Sequence, residues 1–275
     1  MKKVKFFWLI LATVATGMIS CSKGGGINLF TIEQDKAFGD TVNLQISSNP
    51  GSYPLLDKTQ YPAAYSYLEQ IKQRILSTGK VEHATDFNWD IHIIKDDTTL
   101  NAFCTPGGNI YVYSGIIKFL DNEDEFAGVL AHEMAHAARR HSTKQMTKQY
   151  GIDLLLSILL GSNPSELAQI TAQLAGTVTG LQFSQSDEYE ADEYSVIYLG
   201  ATNYYNPRAL EDFFTKMTAE GNNSQSIYNL LPFLSTHPSD AKRVSNIESV
   251  WKANGSLTGT SHDNTNYQNF KNSLP

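Results

Sequence analysis

Apolar residues recur at helical spacing in several long stretches of this chain and at strand spacing in two short ones. In TIEQDKAFGDTVNLQISS, Thr31 is followed three residues later by Gln34, a capping-box pattern that opens an amphipathic helix. A second helix is expected from about Pro62 to Leu76, with Pro62 in its first turn and Gly79 beyond its end. β-Branched and aromatic residues concentrate between Trp89 and Lys95 and again from Ile110 to Tyr113, which predicts strands, and TPGGN at 105–109 reads as a turn. Asn122 with Glu125 three positions on starts the helix that carries VLAHEMAHAARRH. The apolar run IDLLLSILL at 152–160 is too short to cross a bilayer and is assigned to helical core. NPSE at 163–166 sets Asn163 as a cap and Pro164 at a first helical position, and NPR at 206–208 repeats the device. The polar stretch 255–275 is expected to be disordered. Together these elements predict a mostly helical α+β domain with a small sheet.

The leader follows another pattern. Lys2, Lys3 and Lys5 precede an apolar stretch from Phe6 to Ile19, the layout of a secretory signal peptide over residues 1–20. GMISC resembles the lipobox of bacterial lipoproteins, with small Ser20 before Cys21. That resemblance implies cleavage before Cys21, its acylation, a lipidated tether over 21–27, and anchorage to the outer membrane on the periplasmic side. The working domain then spans 28–254. Removing the three leader lysines takes the formal charge from −7 to −10, which argues against a nucleic-acid partner. With Cys21 acylated, Cys104 is the one remaining thiol, so stability must come from packing rather than a disulfide.

The candidate chemistry lies in HEMAH. At about 100° per residue, His132 and His136 fall on one helix face, one turn apart, where both imidazoles can reach one cation. Glu133 projects beside the pair, placed to act on a water without joining the ligands. This is the HExxH arrangement of zinc hydrolases. A catalytic site needs a third protein ligand. A metzincin continuation is excluded, because Arg139 and Ser142 stand where that class has glycine and histidine. His141 lies about 140° round from His136 and reads as a polar residue at the helix end. In SQSDEYEADEYSVIYLG, a helix would set Glu188, Asp192, Ser195, Val196 and Leu199 on one stripe, with Glu190 facing away into solvent. Geometry leaves Glu188 and Asp192 as alternative ligands.

With NLFTIEQDKAFG, NAFCTPGGNIYVYSGII, EDEFAGVLAHEMAHAARRH, SDEYEAD and STHPSDAKRV occurring in this order, the chain resembles the HtpX and CAAX-prenyl-protease superfamily of zinc metalloendopeptidases. The likeness is strongest to its soluble bacterial members, related to the β-barrel assembly-enhancing protease and the mitochondrial Oma protease. It implies a zincin-like metalloprotease domain with one Zn²⁺ per chain held by His132, His136 and Glu188. Asp192 would then orient a histidine or hold two helices together. Glu133 would be the general base, and His237 and Arg243 would act beside the metal. In relatives the histidine equivalent to His237 can approach the zinc as an inhibitory ligand or help at the transition state. Asn101, Ala102, Phe103, Gly107, Gly108 and Asn109 match the family's strand and glycine turn, where an extended or unfolded polypeptide substrate can add as another strand. A second reading is a chaperone-like peptide-binding module whose zinc site is occluded by His237.

Overall fold

The computed structural model describes residues 28, 30–175, 182–220, 232–238, 241–260 and 264–275; the expected signal peptide, Cys21 and its tether lie outside the described residues. The expected mostly helical α+β class is found, and no described helix is long and apolar enough to cross a membrane. Helix α1 (Ile32–Ser47) starts with the Thr31–Gln34 capping box, and α2 (Pro62–Leu76) has its proline in the first turn. Strands β1 (Ile91–Ile94), β2 (Ala102–Cys104) and β3 (Ile110–Tyr113) form one sheet in the order β1-β3-β2, with β1 parallel and β2 antiparallel to the central β3.

Alternation along these strands divides the core in two. Ile91, Ile93, Ala102, Cys104, Ile110 and Val112 join the larger cluster, while Phe103, Tyr111 and Tyr113 join a second with Phe38, Val42 and Ile46 of α1. The turn at 106–108 fits against α1 through its glycines. Gly107 has φ 77°, and a side chain there would meet the Lys36 backbone at 2.8 Å; one at Gly39 would overlap the Pro106 carbonyl.

After α3 (Ser114–Phe119), helix α4 (Glu123–Ala138) carries HEMAH. Asn122 accepts from the Glu125 N–H at 2.9 Å, and Glu123, Asp124 and Glu125 favour the positive end of the helix dipole. Nearly every residue of α4 is buried, which its alanines permit: the helix is enclosed by β2 and by neighbouring helices instead of floating on a surface. Arg140, in the left-handed conformation at φ 59°, separates α4 from α5 (His141–Tyr150). Helices α6 (Ile152–Leu159) and α7 (Pro164–Leu174) follow, with Leu155, Ile158 and Ile170 in the second cluster and Leu160 exposed. Asn163 makes no cap bond to α7; it donates instead to Ser157.

Helix α8 (Gln185–Thr202) packs against α4 and against α10 (Ala241–Ala253). Between them, α9 (Ala209–Glu220) begins after a turn in which Asn206 accepts from the Arg208 N–H at 3.0 Å, so NPR precedes the helix rather than starting it.

The expectation of a disordered stretch at 255–275 is corrected. Thr265–Ser273 forms α11, with Tyr267, Phe270 and Leu274 buried. The stretch is polar in composition, but Tyr267 and Phe270 share one helical face and pack on Tyr67 and Phe126, and Leu274, just past the helix end, joins the same core cluster. Tyr267 Oη, Lys271 Nζ and Gln268 Nε2 donate to the carbonyls of Ile117, Leu120 and Asp121, satisfying acceptors at the end of α3 just ahead of the motif helix. Phe270→Ala is therefore expected to cost about 3–5 kcal/mol in urea unfolding, as for other buried aromatic truncations. An unchanged unfolding midpoint would contradict this docking.

Candidate metal centre

Two helices bring the cluster together. On α4, His132 and His136 are one turn apart, and their Nε2 atoms face each other at 3.0 Å. On α8, a capping box between Ser184 and Asp187 fixes the first turn and sets Glu188 and Asp192 on the face toward α4. Ala191 is buried beside these acids and lets the helices approach. Glu188 Oε2 is 3.5 Å from His132 Nε2, and its Oε1 is 3.5 Å from His136 Nε2. The tip of a third segment, following a helical turn at 232–236, supplies His237, whose Nδ1 lies 3.1 Å from Glu188 Oε1. All four residues are buried, and their candidate ligand atoms lie within 4.8 Å of one another.

The proton positions in the cluster leave room for a cation. His132 Nδ1 is 3.0 Å from Asp192 Oδ1, an ion-pair contact without hydrogen-bond alignment; the carboxylate draws the ring proton to that side and leaves Nε2 a lone pair. Two ligand atoms of a tetrahedral ion with bonds near 2.0–2.1 Å would be about 3.3 Å apart, close to the 3.0 and 3.5 Å separations seen here. The residues fit a metal ion.

The electrostatics agree. Burial penalises the Glu188 carboxylate, but His237, Arg243 and His132 outweigh that penalty and hold its pKa well below the ordinary range. Burial and the neighbouring His132 push His136 well below its usual value, keeping it a neutral ligand. His132 is moved the other way, since hydrogen bonds with Asp192 and Glu188 overcome the burial penalty on its imidazolium. Without metal a proton can take the cation's place there, so metal binding releases protons. Burial pushes Glu133 up to about 7, with His237 opposing. Its Oε1 makes no hydrogen bond and lies 3.4 Å from His237 Nε2.

Arg243, expected to act beside the metal, is committed to carboxylates. Its Nε and Nη2 pair with Asp192 at 2.8 and 2.6 Å, and its Nη1 lies 2.7 Å from Glu188. It is 1% exposed and holds the acids in position. Among the six expected substrate contacts, Phe103 shares a cavity of about 10 Å³, roughly one water, with Cys104, Leu174, Phe183, Thr236 and His237. Asn101 donates to the Ala175 carbonyl at 3.0 Å, and Ala102 lies on β2 within the larger core cluster. Gly107 and Gly108 pack closely: a side chain would strike α1 at the first and Trp89 at the second. Asn109 is buried at the end of the same turn.

Two further expectations are revised. His141 does stand at a helix end, as the first residue of α5, but it is fully buried, with Nδ1 2.9 Å from His136 Nδ1 and Nε2 3.1 Å from Glu190 Oε2. The break at Arg140 removes it from the helical phase of α4, which invalidates the angle counted along a continuous helix. Glu190 does not face solvent; it is buried against His141 and Arg139. The sequence reading also missed Phe183, whose ring stacks on His136 at 4.1 Å, and Phe233, which stacks on His237 at 4.7 Å. An aromatic in the short stretch ahead of α8 or within a single helical turn carries no periodic signal; only proximity to SDEYEAD and STHP marks these two.

The family model of Peptidase family M48 matches residues 62–250. The chain is 29% identical over 254 residues to the mitochondrial metalloendopeptidase OMA1 of Schizosaccharomyces pombe, spanning 89% of this chain and 72% of that protein. It is 31% identical over 227 residues to the β-barrel assembly-enhancing protease of Escherichia coli, spanning 78% of this chain but only 43% of the relative. A third relative, OMA1 of Saccharomyces cerevisiae, is 28% identical over 204 residues, with 71% of this chain and 58% of the relative covered. Because the match runs from the start of α2 into α10, it takes in every element that contributes a side chain to the buried cluster, and the chain belongs to Peptidase family M48 and is a peptide hydrolase.

Proposed function

We propose that this protein is a zinc-dependent endopeptidase that cleaves unfolded or misfolded proteins of a bacterial envelope, held at the periplasmic side of the outer membrane by a lipid on Cys21. The observation that carries the zinc assignment is the convergence of two imidazole nitrogens and the Glu188 carboxylate in a buried site. A zinc ion there would supply Lewis-acid polarisation of a peptide carbonyl and acidify a water. His132, His136 and Glu188 would hold it, with Asp192 beside His132 Nδ1 at 3.0 Å orienting that ring. Glu133 takes a proton from the attacking water and passes it to the leaving nitrogen. A carboxyl with a pKa near 7 is suited to both transfers at neutral pH.

Strand β2 lies at the sheet edge beside α4, which supports substrate binding by strand addition. Backbone pairing accepts many sequences, as a protease of unfolded segments needs. The envelope assignment rests on the leader, the GMISC motif and similarity to a relative named for β-barrel assembly.

One observation favours a second statement about the resting form. His237 is fully buried and joins the ligand cluster, while the cavity beside it has room for about one water. The described conformation is closed to a peptide, so the segment ending in His237 must move before substrate reaches Glu133. A module that only binds peptide shares this occlusion, but membership of a peptidase family favours turnover.

Purified protein is expected to cleave casein, and a chelator should abolish the activity. Glu133→Gln should lower kcat by about 10²–10⁴-fold while zinc stays bound. Undiminished cleavage in either arm would remove the assignment. For His237→Ala, cleavage of a short fluorogenic peptide is expected to rise with zinc content unchanged; a fall would instead make His237 part of the catalytic machinery.

A further inference from the structure

We propose that His141 is a positioning residue for metal capture: together with Glu190 it holds the proton of His136 on Nδ1 and so keeps the Nε2 lone pair aimed at the cation. The inference rests on His132, His136 and Glu188 being the metal ligands.

The argument is a count of protons along one line of contacts. Glu190 is the fixed end. Its Oε1 receives Arg139 Nε at 2.8 Å and Nη2 at 2.7 Å, and Arg139 is itself held by Glu82 and by the Tyr194 ring at 4.6 Å. Gripped by the Arg139 guanidinium through Oε1, Glu190 is a carboxylate with Oε2 left to accept. An ionised carboxylate only accepts, so His141 Nε2, 3.1 Å away, must be the donor. With its proton on Nε2, His141 presents the Nδ1 lone pair. The partner of that nitrogen is His136 Nδ1 at 2.9 Å, which therefore donates. His136 Nε2 is then without a proton and faces His132 Nε2 and Glu188.

The opposite proton order is unfavourable at both ends. It would set the bare His141 Nε2 against the Glu190 carboxylate, with Asp187 Oδ1 a further 3.9 Å acceptor nearby. It would also turn an N–H of His136 into the space where the ligand atoms converge. Ring packing fixes the same orientation: Phe183 stacks on His136 at an interplanar angle of 26°, and His141 meets His136 edge-on at 77°.

Each motif histidine is thus backed by an acid from α8 and an arginine beyond it. For His132 the link is direct, through Asp192 and Arg243; for His136 it passes through His141 to Glu190 and Arg139.

Zinc affinity of the purified chain, measured by chelator competition, tests the proposal. His141→Phe is expected to weaken zinc binding about 10–100-fold, the usual effect of removing a group that orients a ligand. His141→Gln retains an acceptor for the His136 N–H and should restore part of the loss. Melting of the metal-free proteins separates this role from a purely structural one, which would lower that temperature and leave affinity untouched. Wild-type affinity in His141→Phe overturns the relay. If that variant does not fold, Glu190→Gln serves in its place: weaker zinc binding supports the relay, and unchanged affinity overturns it. A wild-type chain that takes up no zinc would instead overturn the ligand assignment, and this inference with it.

Discussion

The approach of α8 to α4 buries Glu188 and Asp192 where water does not reach them, and each carboxylate so placed costs several kcal/mol unless a cation meets it. That cost shapes the surrounding fold. Arg243 reaches in from α10 to bridge both acids, which explains why a helix far along the sequence packs on α8. The histidines supply the remaining partners, one through Asp192 and the other through Glu188. A metal ion between the imidazoles would complete the compensation. The candidate metal centre is therefore also an electrostatic core, in which Asp192 and Arg243 serve the buried charges rather than the cation.

Enclosure adds a second consequence. Nothing in the cluster is more than 1% exposed, and Phe183 and Phe233 cover the His136 and His237 rings. Low dielectric strengthens every ion pair within and raises Glu133 toward neutrality, but the same walls keep a peptide out. Reactivity and access are opposed in the described conformation, and His237 lies where the two meet, 3.4 Å from Glu133 and 3.1 Å from Glu188.

Local signals made much of this legible in the sequence. Capping at Thr31 and Asn122, the first-turn proline at Pro62 and the β-branched runs at 91–94 and 110–113 each depend on neighbours a few residues away, and each is found. The stripe of Glu188, Asp192 and Ser195 was readable from helical phase and is buried as a unit. Errors arose where phase or composition misleads. Counting angles past Arg140 assumed a helix that ends there, which hid both His141 and the partner that buries Glu190. Composition made 255–275 look unstructured, although Tyr267, Phe270 and Leu274 suffice to dock a short helix. The glycines of TPGGN were visible, but their reason was not: a backbone approach to α1 exists only in three dimensions.

X-ray absorption at the zinc edge of the purified protein tests the central claim most directly. The account predicts one zinc per chain, bound by imidazole nitrogens at about 2.0–2.1 Å together with carboxylate oxygen, and loss of that signal in Glu188→Ala. A chain that carries no stoichiometric metal, or a coordination shell without histidine nitrogen, would contradict it.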